Sequence, residues 1–260
     1  MMKKKPTYSL FSANAHSIGK VRPTNEDALF SFESEIFRMN QKATIGLYII
    51  ADGMGGHISG DRASATAINT FVAYYFESVY PLLIADKELK KSISEYLTEG
   101  IIQANKSVKK EVPGGGTTFT VAQVWNHKVY FAHVGDSRIY HFDKKFHSRR
   151  LTNDHSLVSM LVELGEINQE EALTHPRRSV LLRSLGFNLD VEIDTGELEF
   201  EAGEFLLLCC DGLWSVVPES EMITILQKKA GLQEIVGEFV NSANDHGGPD
   251  NISCILVQMS

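Results

Sequence analysis

Several apolar runs in this chain stop or start on an aspartate. "YIIADGMGG" ends its apolar run on Asp52, "FLLLCCDGLW" ends one on Asp211, and "PDNISCILV" begins one just after Asp250. Asp136 sits in "HVGDSRIY", between two more such runs. Short apolar runs bounded by turn residues read as buried strands, and a residue at the end of a buried strand projects from the sheet edge. Taken singly, each Asp-Gly or Gly-Asp is ordinary turn chemistry. Taken together, they let one fold gather several carboxylates at an edge. Packed carboxylates repel unless cations lie between their oxygens. Oxygen donors select hard ions, Mg²⁺ or Mn²⁺, over zinc.

Strands are expected over 8–15, 28–32, 45–51, 118–124, 129–134, 137–142, 205–210 and 253–259. "TFTVAQVWNHKVYFAHV" reads as a hairpin turning at Asn126 and His127. Ala63, Ala67, Phe71, Tyr75 and Val79 recur every four residues, as do Leu89, Ile93, Leu97 and Ile101 in a second segment, so two long helices are expected. Shorter helices are expected over 156–164, 219–229 and 232–244. Hairpin-ordered strands with helices between the blocks predict an α+β fold whose helices cover antiparallel sheets.

With 260 residues the chain could hold one large core or two small ones. No repeat, low-complexity block or linker divides it, so a single domain over 1–260 is expected. A net charge of −8 argues against a nucleic-acid partner, and means that an anionic substrate needs local cations. Cys209, Cys210 and Cys254 lie in apolar runs without CxxC spacing and read as buried thiols of a reducing compartment. The start, "MMKKKPTYSL", lacks the apolar core of a signal peptide, and no apolar stretch is long enough to span a bilayer. A cytoplasmic monomer with no membrane partner is the expectation.

The pieces "RPTNEDA" (22–28), "ADGMGGHISGDRAS" (51–64), "GGTTFTVA" (115–122), "VGDSRIY" (134–140), "LTNDHSLV" (151–158), "HPRRSVLLRSLG" (175–186), "CDGLWSVV" (210–217) and "GGPDNIS" (247–253) run in order through nearly the whole chain. In them the sequence resembles the type 2C, metal-dependent protein serine/threonine phosphatases, in their bacterial form. The resemblance implies an αββα sandwich with a metal site at one edge. It also implies hydrolysis of phosphoserine and phosphothreonine in phosphorylated proteins, substrates of a cognate kinase, by a water or hydroxide bridging two ions.

Position by position, the resemblance makes Asp52 the bridge between two core ions, Mn²⁺ or Mg²⁺. Asp211 and Asp250 complete the first, and the Gly53 carbonyl binds the second. Asp136, with Asp211, matches a weaker third site. Glu26, and Asp27 beside it, hold water molecules around the ions, and Arg22 grips the substrate phosphate. Residues 159–183 correspond to the family's variable flap, where "LTHPRRS" is basic.

Met54 stands where the eukaryotic branch has a histidine proposed as general acid, which leaves the acid open. His57 is the nearest histidine and reads better as a brace for the following helix. Asp154 and His155 adjoin Ser156 but cannot form a triad, which converges from separate positions, so both read as structural. "GGGTT" lacks the Gly-Lys-Ser/Thr of a nucleotide loop, and Thr117 and Thr118 are expected beneath the metal site. The alternative is a catalytically silent, phosphoprotein-binding regulator of the same fold. Loss of a ligand aspartate would mark it, and none of Asp52, Asp136, Asp211 or Asp250 is lost.

Overall fold

The computed structural model describes residues 8–38, 41–55, 59–85 and 89–260. From the N-terminal side come β1 (Leu10–Ser17), β2 (Ala28–Arg38), β3 (Gln41–Ala51) and the two-residue β4 (Gly53–Met54). Helices α1 (Ser59–Ser78), α2 (Tyr80–Ala85) and α3 (Ile93–Glu111) follow. The chain then forms β5 (Gly116–Thr117), β6 (Phe119–Trp125), β7 (Lys128–Val134), β8 (Arg138–Phe142) and β9 (Ser148–Arg150). Helices α4 (Leu157–Glu163) and α5 (Gln169–Thr174) precede β10 (Asp194–Glu199) and β11 (Phe205–Cys209). Helices α6 (Asp211–Trp214), α7 (Glu219–Leu226) and α8 (Leu232–Asp245) lead into β12 (Ile252–Met259).

Two five-stranded antiparallel sheets result, ordered β1-β12-β11-β8-β9 and β10-β7-β6-β3-β2, with β4 and β5 as a small separate pair. Strand alternation sorts the core into three layers. Along β3, Ile45, Leu47 and Ile49 face α1 and α3, where they meet Ala67, Phe71, Leu97 and Ile101. Tyr48 and Ile50 face the other way and meet Leu206, Leu208, Ile255 and Val257 between the sheets. Leu207, Cys209, Cys254 and Leu256 pack outward on Val236 and Phe239 of α8. The αββα sandwich is therefore present, and truncating a buried leucine or isoleucine of its central layer to alanine is worth about 2–5 kcal/mol.

Local chemistry sets the element ends. Asn126 takes φ 56° at the β6–β7 turn, a conformation that asparagine tolerates better than most residues. Leu89 does not belong to the second long helix. That helix begins at Ile93, because the Ser92 side chain accepts from the Glu95 N–H at 3.2 Å while the Glu95 carboxylate accepts from the Ser92 N–H at 2.7 Å.

Helices α4 and α5 form an excursion from the sandwich that is pinned at its own base. Ser156 bridges to Leu181, the Leu157 N–H donates to the Val180 carbonyl at 2.8 Å, and the Leu182 N–H donates to the His155 carbonyl at 2.8 Å.

Candidate metal centre

The two sheets deliver their strand ends to one edge. Ala28 at the start of β2 pairs with Ala51 at the end of β3, which places Asp27 and Asp52 just beyond that pair. Cys209 at the end of β11 pairs with Cys254 of β12, so Asp211 and Asp250 emerge nearby. Asp136 lies in the turn between β7 and β8.

Threonines fix the Asp52 backbone. The Asp52 N–H donates to the Thr118 hydroxyl, while the Asp52 carbonyl accepts from the Thr118 N–H and the Thr117 hydroxyl, each at 2.9 Å. Thr118 also meets the Ser137 hydroxyl at 2.9 Å, which ties Asp52 to the turn carrying Asp136. Gly53 and Gly212 cannot bear side chains. A Cβ on Gly53 would collide with the carbonyls of Gly60 and Glu26, and one on Gly212 with that of Asn251.

Asn251 spends its whole side chain on the opposite wall. Its Oδ1 accepts from the Glu26 N–H at 2.8 Å, and its Nδ2 donates to the carbonyls of Ile18 at 3.0 Å and Thr24 at 2.9 Å. The segment bearing Arg22 and Glu26 is thereby stapled to the start of β12. Arg22 reaches across the rim to Asp250 at 2.7 Å and keeps half of its side chain in solvent.

Arg22, Glu26, Asp52, Gly53, Asp136, Asp211 and Asp250, all chosen from the sequence, line one cavity of about 390 Å³. Asp27 does not line it and lies buried beneath. Among the described residues neither Asp27 oxygen has a hydrogen-bond partner, and Asp211 Oδ1 has none either. Burial is the first cause that pushes Asp52 and Asp136 well above the ordinary carboxylate range, and neighbouring aspartates add to it. Asp211 is raised to about 6, by burial and then by Asp250. Asp27 is raised to about 7, chiefly by burial. Buried, mutually repelling oxygens without donors are what hard divalent cations satisfy, so the residues fit such ions.

Cys210 approaches Asp27 and Asp52, with candidate ligand atoms within 4.8 Å of one another. Its sulfur already accepts from the Ser253 N–H at 3.0 Å, and burial holds the thiol well above its usual pKa. The three cysteines are free and buried. No described histidine lines the cavity, Met54 does, and His57 lies outside the described residues.

A family model described as protein phosphatase 2C matches residues 11–168 and 192–252. The chain belongs to the protein phosphatase 2C family. It is 40% identical over 242 residues to the serine/threonine phosphatase stp of Listeria monocytogenes, covering 92% of each chain. A Streptococcus agalactiae serine/threonine phosphatase structure superposes with a TM-score of 0.79 at 30% identity, covering 96% of this chain and 99% of that one. The catalytic domain of the serine/threonine phosphatase PstP, in complex with two manganese ions, superposes with a TM-score of 0.78 at 27% identity, over 97% of this chain and 99% of that one.

This protein phosphatase 2C is a protein serine/threonine phosphatase of a metal-dependent family, and phosphorylated proteins are its substrates. Among its described residues no helix is long and apolar enough to cross a membrane.

Several residues that hold the phosphatase site together carried no functional reading in the sequence. Asn251 is one. Trp214 is another, since its indole N–H donates to the Asp136 carbonyl at 3.0 Å. Ser64 donates to the Glu26 carbonyl at 2.6 Å, which anchors the Glu26 backbone to α1.

Proposed function

We propose that Asp52, Asp136, Asp211, Asp250 and the Gly53 carbonyl hold divalent cations, two core ions and a weaker third, with Mn²⁺ or Mg²⁺ as the natural choices. The observation that carries this reading is the convergence of Asp52, Asp136, Asp211 and Asp250 on one cavity, with Asp211 Oδ1 and the adjoining Asp27 carboxylate lacking a donor among the described residues. Bound there, the ions supply Lewis acidity toward a phosphoryl group and its attacking water.

The chain's own residues do the rest. Arg22, which pairs with Asp250 at 2.7 Å, takes two phosphate oxygens in a forked contact and releases Asp250 as it does so. Glu26, fixed by Asn251 and Ser64, orients water at the opposite side of the cavity. Asp27, whose carboxylate lies within 4.8 Å of that of Asp52, holds a water beside the ions. Residues 159–183 act as a flap beside the site. The substrates are phosphoserine and phosphothreonine proteins made by a cognate kinase, met by a monomer in the cytoplasm.

The test is hydrolysis of p-nitrophenyl phosphate and phosphothreonine peptides by dialysed protein. Activity is expected with added Mn²⁺ or Mg²⁺ and none in excess EDTA. Full activity in EDTA would sink the reading.

A further inference from the structure

A second cavity of about 190 Å³ opens beside the first and shares Arg22, Asp136, Ser179, Asp211 and Asp250 with it. One wall is the excursion, with Val158 and Val162 of α4 and Ala172 and Leu173 of α5. The other is α6 and the stretch ending at Asp250. Its floor is neutral. Arg138 holds Asp154 through two hydrogen bonds of 2.6 and 2.9 Å, and its guanidinium stacks on Trp214 at 3.3 Å.

Two more guanidinium groups line this cleft, Arg150 from β9 and Arg178 from the turn after α5. Arg150 reaches Asp154 only at 3.5 Å, and Arg138 already neutralises that carboxylate. Among the described residues, Arg178 has no ion-pair or side-chain hydrogen-bond partner. The aspartates shared with the first cavity are committed to its cations. The cleft is thus left with a surplus of positive charge, on a chain whose net charge of −8 otherwise repels acidic partners.

From this geometry we infer that the cleft receives the substrate chain flanking the phosphorylated residue, and favours an anionic side chain there. The inference rests on the first cavity being the phosphate site. Ser179 lines both cavities and its neighbour Arg178 only the second, so the anion lies close in sequence to the phosphoresidue. The apolar side chains of Val162 and Leu173 cover the stem of that neighbour. A glutamate and a second phosphate offer the same chemistry.

The experiment compares kcat/KM of the full chain with Mn²⁺ on phosphothreonine peptides of one length, flanked by alanine, glutamate, lysine or a second phosphothreonine. Glutamate or the second phosphate should exceed alanine, and lysine should fall below it. The expected span is about three- to tenfold, the scale of exposed ion pairs, and should shrink in high salt. Higher rates with the second phosphate than with glutamate would assign the cleft to multiply phosphorylated substrates. The reverse would assign it to acidic sequence.

Arg178→Ala should flatten the preference and Arg178→Glu should reverse it, both with p-nitrophenyl phosphate turnover unchanged. Equal rates on all peptides by an active wild type would overturn this inference alone. So would an Arg178→Glu variant that loses p-nitrophenyl phosphate and acidic-peptide activity in equal measure. If Mn²⁺ supports no turnover of p-nitrophenyl phosphate by the wild type, the phosphate-site reading itself fails.

Discussion

His155 grips the Gly135 peptide from both sides. Its backbone N–H donates to the Gly135 carbonyl at 2.7 Å, and its Nδ1 accepts from the Gly135 N–H at 3.1 Å. An accepting Nδ1 puts the ring proton on Nε2, which faces Asp194 at 3.2 Å. Burial lowers the pKa of the ring and so favours this neutral form. The residue after Gly135 is Asp136, so the histidine of "NDHS" holds a site-bearing turn in place and takes no part in a triad.

Removing that grip should therefore loosen Asp136. His155→Ala is expected to cost about 1–3 kcal/mol of stability, the scale of buried donors left unmatched, read by urea denaturation. Mn²⁺ affinity, followed by calorimetry, should fall as well. A variant with wild-type stability and affinity would contradict the positioning role.

Asp52→Asn and Asp211→Asn should each abolish turnover. In EDTA the same variants should melt above the wild type, because each removes one charge from a buried set of repelling carboxylates. Differential scanning calorimetry without metal reads the second effect, and a lower Tm in both variants would refute it.

The raised carboxylates also set a pH trend for the ion-free protein. Asp211 and Asp27 titrate near 6 and 7 when folded, and near the ordinary 3.8 when unfolded. Between about 4 and about 7 the folded state binds more protons, so their contribution to stability falls as pH rises. Buried neutral His133, lowered to about 4, works in the opposite direction. The difference between wild type and Asp211→Asn isolates the Asp211 part of this trend. Over this window the wild type should lose more Tm in EDTA than the variant. Mn²⁺ affinity should climb over the same window, because binding displaces those protons.

Arg22→Ala should raise KM for phosphopeptides about tenfold, the scale of one lost charged hydrogen bond. Arg22→Lys should recover only part of this, since an ammonium cannot make the forked contact. Steady-state kinetics at saturating Mn²⁺ decide it, and an unchanged KM would rule out Arg22 as a phosphate ligand.

The convergence of Asp52, Asp136, Asp211 and Asp250 on one edge was legible in the sequence because each of them bounds an apolar run that becomes a strand. The hairpin at Asn126 was legible because its period and its turn residue agree. Strand β10 was not, since "DTGELE" is a polar edge strand with a glycine in it, and its pairing with β7 supplies what its composition lacks. Leu89 kept the helical period but sits before the Ser92 cap, so periodicity placed the start one turn early. Asn251 was invisible for a different reason. Its partners Ile18, Thr24 and Glu26 lie more than 220 residues away, and no local pattern encodes such a staple.

The excursion closed by Ser156 and Leu181 leaves the sandwich and returns to it at neighbouring points. Chain inserted between those points alters neither sheet, and each doubling of a flexible loop adds only about 0.6 kcal/mol of closure entropy. Such a segment behaves as a cassette. It can be lengthened, shortened or exchanged between relatives while the carboxylate edge stays as it is, so partner choice and hydrolytic chemistry are free to evolve at different rates in one chain.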